Sequence, residues 1–142
     1  MIGPPERRAR VAPLSRAALA VYTVVLVAGT HWPRLVIEVE GIDRPDLLLH
    51  VSAFGLWTVL AIRARLFGPM LSGPAVVKTT ALALAFATVD ELTQALPGLG
   101  RTVSAEDWSA NLAGVFGAGS AALLLGAIEP SAGEPAGGAR RA

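Results

Sequence analysis

The chain has no cysteine among its 142 residues, and only 16% of them are charged. The missing thiols exclude disulfide bonds, thiolate nucleophiles and cysteine-ligated zinc. The sequence also lacks a glycine-rich phosphate loop, an internal repeat and a basic patch interleaved with aromatic residues, so we expect no nucleic-acid partner. We expect no cofactor, and no metal either, because one histidine among carboxylates is a thin ligand set.

Apolar residues are what the sequence has in abundance. Hydrophobic residues make up 53% of the chain, the mean hydropathy is +0.54, and the apolar residues form blocks instead of alternating with polar ones. This profile is typical of an integral membrane protein, and the length suits one domain. We therefore predict an all-α membrane protein, a bundle of four transmembrane helices spanning about residues 17–32, 47–62, 75–96 and 105–128.

The two ends of the chain have a different composition. Residues 1–15 are rich in Pro and Arg, and residues 129–142 are rich in Gly, Ala and Pro, so we predict a disordered basic head and a disordered tail around a membrane domain at 16–128. The first apolar block could instead be a signal peptide, since it follows a basic head and is short. No clear A-x-A cleavage site follows it, which favours a membrane span.

The distribution of Lys and Arg predicts the orientation. If all four blocks span and the N-terminus is cytoplasmic, nine of the twelve basic residues lie inside. The other three, Arg34, Arg44 and Arg101, lie outside. Both termini are therefore expected in the cytoplasm, and the second span begins, the third ends and the fourth begins at the outer face.

Asp46 and His50 form the first of three polar pairs, each about one turn from the outer end of a predicted span. Ionisable residues within membrane helices are expensive and usually functional. Four residues apart, Asp46 and His50 share a helix face, so the carboxylate is expected to accept a hydrogen bond from the imidazole. Alternatively, Asp46 only caps the helix that starts at Pro45.

Glu91 and Gln94 form the second pair, near the C-terminal end of the third span. The helix dipole is unfavourable to a carboxylate there, so Glu91 needs a partner, and Arg101 in the next loop is the obvious candidate. Asp90 points about 100° away, so only Glu91 is expected to join the site. The alternative is an ion pair that merely holds the loop to the helix.

Asp107 and Asn111 form the third pair. Ser104 and Asp107 have the spacing of a capping box, which explains Asp107 structurally. Asn111, one turn deeper, must face the bundle, where an amide can link helices. Small residues follow that allow close helix packing, within the chain or in a homo-oligomer, namely Gly114, Gly117 and Ala118.

These residues in this order resemble the VanZ-like family of small bacterial membrane proteins. The resemblance covers roughly residues 44–122, more than half of the chain, and the combined spacing is far more specific than any one element. The residues that carry it are Asp46, His50, Phe54, Glu91, Gln94, Pro97, Arg101, Asp107, Asn111 and Gly114.

The resemblance implies a four-helix domain in the bacterial cytoplasmic membrane and an association with low-level resistance to teicoplanin, a glycopeptide antibiotic. It implies no established molecular activity. The sequence departs from the family pattern at Leu47, where the family usually has Lys. A positive partner for Asp46 must then come from Arg44, Arg101 or His50.

Three functions fit these residues. The first is a binding or accessory module whose partner is a membrane lipid, a lipid-linked envelope precursor or a lipoglycopeptide, with the three polar pairs and Arg101 as ligand-binding residues. The second is a membrane-embedded enzyme in which His50, oriented by Asp46, acts as general base and Glu91 as acid. The third is a scaffold for other membrane proteins.

Overall fold

The structure is a computed structural model that describes residues 4–33 and 39–128, with side chains from residue 13 onward. It is all-helical, which confirms the predicted class. The predicted tail at 129–142 lies outside the described residues, and so does Arg34. The four helices are α1 (Pro4–Thr30), α2 (Pro45–Arg63), α3 (Gly73–Thr93) and α4 (Ala105–Ile128).

The helix bounds differ from the predicted ones mainly at α1 and α3. Helix α1 begins at Pro4, ahead of the apolar block, and α3 ends at Thr93, short of residue 96. Helices α2 and α3 each have a proline at the first or second position, where the missing N–H costs nothing. Helix α4 has the bounds expected from its apolar run.

Three of the helices are long and apolar enough to cross a membrane, in the segments Pro13–Thr30, Pro45–Arg63 and Ala105–Ile128. These helices indicate a multi-pass membrane protein. Helix α3 does not meet the same criteria, because Lys78, Asp90 and Glu91 interrupt its apolar sequence.

Helix α2 packs against all three other helices, and its largest interface is with α4, which also packs on α3. Gly114 lets α4 approach α2, because a Cβ there would overlap the carbonyl oxygen of Val51. Gly119 does the same toward Thr80 of α3. Gly117 is exposed with no heavy atom within 4 Å of its Cβ position, so it takes no part in packing within the chain.

Helix α1 is more peripheral and packs mainly on α2. The Tyr22 hydroxyl donates to the carbonyl oxygen of Ala53 at 3.1 Å, and the Trp57 indole N–H donates to the Thr23 hydroxyl at 2.9 Å. Trp57 also stacks on Phe86 of α3, with ring centroids 4.7 Å apart. These contacts fix the middle of α1 and leave its C-terminal turns to be held by polar groups.

Candidate functional site

Polar side chains from all four helices meet at one end of the bundle. This is the end where α1 and α3 finish and where α2 and α4 begin. Four of the side chains, Asp90, Glu91, Gln94 and Asn111, are at most 3% exposed. We call the following residues the polar cluster: His50, Asp90, Glu91, Gln94, Arg101, Asp107 and Asn111.

His50 links α2 to α4. Its Nδ1 lies 2.8 Å from Asn111 Oδ1, and its Nε2 lies 3.7 Å from Asp107 Oδ2. The expected hydrogen bond between Asp46 and His50 is not the one formed, because Asp46 turns to Arg44 instead, with Arg44 Nη2 at 3.0 Å from Asp46 Oδ2. Asp107 therefore holds the place beside the imidazole that was predicted for Asp46.

Arg44 forms a bridge at the rim of the polar cluster. It contacts Asp46 in the first turn of α2 and Glu106 in the first turn of α4, the latter at 2.6 Å. The hydrogen bonds that Arg44 donates to Asp46 and to Glu106 raise the pKa of Arg44 above its ordinary value. The three side chains are well exposed, so the bridge orients Asp46 more than it stabilises the fold.

Glu91 completes the cap of α4 from a different helix. Its Oε1 accepts the Ser104 backbone N–H at 2.7 Å, and the Asp107 backbone N–H donates to the Ser104 hydroxyl at 3.1 Å. In a capping box, the acid in the first turn of the same helix would accept the Ser104 N–H. Because Glu91 takes that role here, the Asp107 carboxylate is left to face His50.

Gln94 connects both acids of α3 to Arg101. Its Nε2 lies 3.4 Å from Asp90 Oδ2 and 3.4 Å from Glu91 Oε2, while its Oε1 accepts a hydrogen bond from Arg101 Nε at 3.0 Å. The predicted Glu91 to Arg101 pair is therefore indirect. The prediction that Asp90 stays outside the cluster is wrong. Gln94 lies four residues after Asp90 and three after Glu91, and its amide reaches both carboxylates.

Asp90 ties the end of α1 to the polar cluster. The Thr30 hydroxyl donates to Asp90 Oδ1 at 3.0 Å, and His31 Nδ1 lies 3.7 Å from the same oxygen. His31 Nε2 is 3.0 Å from the Thr93 hydroxyl. Sequence reasoning missed Thr30 and His31, although both lie at the end of the first apolar block, at the same predicted membrane face as the polar pairs.

Hydrogen bonds connect the α3 side of the polar cluster to the α4 side. The Ser104 N–H donates to Glu91 Oε1, and the Ser104 hydroxyl accepts the Asp107 N–H, while His50 contacts both Asp107 and Asn111. The shared end of the bundle thus carries one connected set of acidic, amide and imidazole groups. Asp46 stands at its edge.

Two hydrogen-bond donors in the polar cluster could accept further partners among ligand groups. Asn111 is fully buried, and its Nδ2 has no hydrogen-bond partner among the described residues. Within that part of the chain, Arg101 donates to the neutral oxygens of Gln94 and Trp32 and forms no salt bridge. A buried donor without a partner is costly, so Asn111 Nδ2 favours an acceptor supplied from outside. Arg101 is partly buried, and its positive charge favours an anionic acceptor that its two neutral partners do not provide.

A cavity of about 270 Å³ opens beside the polar cluster, between α1 and α2. Its sides are apolar, and its polar end is formed by Thr30, Asp46, His50 and Arg101. We call it the α1–α2 groove. Its apolar lining consists of Tyr22, Val25, Leu26, Gly29, Leu49 and Ala53.

The arrangement suits binding better than acid–base catalysis. Both ring nitrogens of His50 face protein groups, so proton transfer to a ligand would require one of those contacts to break. Within the described side chains, no group of three or more His, Asp or Glu residues is placed to hold a metal ion. What the site presents to a ligand is a guanidinium at the end of an apolar groove, while the spare amide N–H of Asn111 is fully buried next to His50.

Comparison with protein-family models, curated proteins and solved structures found no match to this chain. The resemblance to the VanZ-like family accordingly stays a prediction from the residues quoted above.

Proposed function

We propose that the chain is a VanZ-like protein of the bacterial cytoplasmic membrane that binds the polar head of an envelope amphiphile. The ligand class comprises membrane lipids, lipid-linked envelope precursors and lipoglycopeptides. The protein then acts as an accessory factor in envelope function or in teicoplanin-type resistance. In this proposal α3 is a fourth span, both termini are cytoplasmic, and the polar cluster lies in the outer leaflet.

The observation that carries the proposal is the buried polar cluster itself. Burying Glu91, Gln94 and Asn111 together in an apolar bundle costs free energy unless their polar groups are paired. The spare donors of Asn111 and Arg101 are the groups that a phosphate, carboxylate or amide of a headgroup would satisfy. A scaffold would be expected to complete such hydrogen bonds between its own helices, whereas Asn111 Nδ2 has no partner among the described residues.

Direct binding tests the proposal. The probe is lysophosphatidylglycerol, added to the purified full chain in a zwitterionic detergent while thermal unfolding is followed. A ligand at a hundred times its Kd stabilises the folded state by about 2.7 kcal/mol. We expect a concentration-dependent rise in Tm for the natural sequence and for Glu106→Gln, and a much smaller one for Glu91→Gln and His50→Ala.

Glu106→Gln is the matched control, because it makes the same chemical change at the rim of the same end. Equal stabilisation of all four proteins by the probe would refute a site in the polar cluster. Failure of Glu91→Gln and His50→Ala to accumulate, with no effect of the probe on the natural sequence, would favour the scaffold.

The resistance part of the proposal has its own test. Expression of the chain in a susceptible Gram-positive host is expected to raise the inhibitory concentration of teicoplanin, and His50→Ala at the same membrane level is expected to abolish the rise. No change with the natural sequence would refute the link to teicoplanin. Retained resistance with His50→Gln, which preserves hydrogen bonding without proton transfer, would exclude the enzyme.

A further inference from the structure

The α1–α2 groove has the shape of an amphiphile. Along α1 its lining runs from Tyr22 to Thr30, about 12 Å at 1.5 Å per residue, with apolar side chains over most of that length. At its far end it meets Thr30, His50 and Arg101 of the polar cluster. An apolar channel with a polar end matches a ligand that has a tail and a head.

The groove is open to its surroundings along one side. Val25 and Leu49 form its rims and are 60% and 45% exposed, while Leu26 on its floor is 7% exposed. Both rims lie on helices apolar enough to cross a membrane, so this open side faces lipid in the bilayer. A chain can therefore enter sideways from the outer leaflet without passing through water.

The charge at the polar end of the α1–α2 groove determines which ligand headgroup it favours. Arg101 reaches the groove and contacts only neutral oxygens within the described residues. Asp46, the acid that also lines the groove, is already paired with Arg44. The free positive charge therefore favours a phosphate or carboxylate head over an uncharged one.

We propose that the α1–α2 groove holds a single acyl chain of an anionic amphiphile drawn laterally from the outer leaflet, with its head at Arg101. This proposal rests on the proposed function and adds the class of ligand and its route of entry. A cavity of about 270 Å³ lies just below the range for ligand pockets, roughly 300–1,000 Å³, which suits one acyl chain and not two.

Gly29 offers a direct way to close the groove. It lines the groove, is exposed, and has no heavy atom within 4 Å of its Cβ position. A leucine at this position is expected to occupy part of the space assigned to the acyl chain, and its Cβ would contact no other part of the protein. Gly117→Leu is the matched control, because Gly117 is equally exposed and equally free of neighbours on α4, outside the groove.

The experiment uses the full chain reconstituted in phosphatidylcholine vesicles. The probe is lysophosphatidylglycerol with a photoactivatable diazirine in its chain, compared with monoacylglycerol that carries the same chain and no phosphate. After irradiation, labelled peptides are mapped by mass spectrometry. We expect labelling by lysophosphatidylglycerol to concentrate on the segments that line the groove, 22–30 of α1 and 49–53 of α2.

Gly29→Leu is expected to reduce that labelling about tenfold, and Gly117→Leu to leave it unchanged. Arg101→Gln is expected to reduce labelling by lysophosphatidylglycerol about tenfold, equivalent to about 1.4 kcal/mol, and to leave monoacylglycerol labelling unchanged. Unfolding curves of the variants in detergent check that the fold is retained.

Labelling spread evenly over the lipid-facing surface, or indifferent to Gly29→Leu, would overturn the groove as the tail site. The preference for lysophosphatidylglycerol could depend on Arg101 while the diazirine in the acyl chain labels other helices. That result would overturn the groove alone and leave the proposed function standing. Groove labelling with no preference between the two probes would overturn the anionic head and leave the proposed function standing with an uncharged polar head.

Discussion

Gly114→Ala tests the packing that holds the polar cluster together. A Cβ at residue 114 would overlap the carbonyl oxygen of Val51 and lie 2.9 Å from the Gly55 nitrogen. Both neighbours are backbone atoms of α2, so no change of rotamer can relieve the contact, and α2 and α4 must move apart. Overpacking of this kind costs about 1–3 kcal/mol.

Gly117→Ala is the control for helix propensity. Alanine is better than glycine in a helix by about 1 kcal/mol, and both variants receive that gain. Gly117 has open space at its Cβ position, so the difference between the two variants isolates the steric cost. We expect Gly117→Ala to be more stable than Gly114→Ala by about 1–3 kcal/mol in the free energy of unfolding.

The assay is unfolding of the purified protein by titration with sodium dodecyl sulfate in mixed micelles, followed by circular dichroism. The bond between His50 and Asn111 crosses the same interface, one turn from Gly114, so Gly114→Ala is also expected to weaken stabilisation by lysophosphatidylglycerol. Equal stability of the two alanine variants would refute the close approach of α2 and α4.

Three further changes test other contacts of the polar end. Gln94→Leu removes the amide that connects Arg101 to the acids of α3. The loss of a buried partner is expected to lower the free energy of unfolding by about 1–3 kcal/mol in the detergent titration, and an unchanged stability would refute the bridging role. Thr30→Val removes the hydroxyl that donates to Asp90, so backbone amide hydrogen exchange is expected to become faster in the last turn of α1 and not in α4. Equal protection of that turn in the variant and in the natural sequence would contradict the attachment of α1. Arg44→Gln breaks an exposed bridge, so its small effect on Tm is expected to vanish at 1 M salt, and an effect that persists in salt would contradict a purely electrostatic role.

Much of the fold follows from composition and periodicity. Apolar blocks punctuated by Pro45 and by the loop before Ala105 predict the number of helices, and the depth of the polar pairs predicts that His50 and Asn111 share one end of the bundle. These features are local or follow from antiparallel connection of the helices, so a single sequence contains them.

The choice of partners within the polar cluster is what the sequence could not supply. His50 contacts Asp107 and not Asp46, because the partner depends on how α2 and α4 rotate against each other around Gly114. Glu91 caps Ser104 across a loop, which a capping pattern within one helix does not predict. Asp90 joins the cluster because Gln94, at the end of α3, reaches both neighbouring acids.

The contacts that hold α1 against the bundle could likewise not be predicted from the sequence. Thr30 and His31 lie at the end of an apolar block whose sequence does not indicate which helix it packs against. Their contacts with Asp90 and Thr93 appear only when α1 lies against the bundle. The α1–α2 groove has the same origin, since it is the space left where a peripheral helix packs mainly on one neighbour.

Cysteine labelling in intact cells tests the central claim, an externally accessible polar site, most directly. His50→Cys places the sole thiol of the protein where the groove meets the polar cluster, and Ser72→Cys places one at the opposite end of the bundle. The account predicts that a small membrane-impermeant methanethiosulfonate reagent added outside modifies His50→Cys, and that Ser72→Cys reacts only after the cells are opened. Modification of His50→Cys only in opened cells would contradict it.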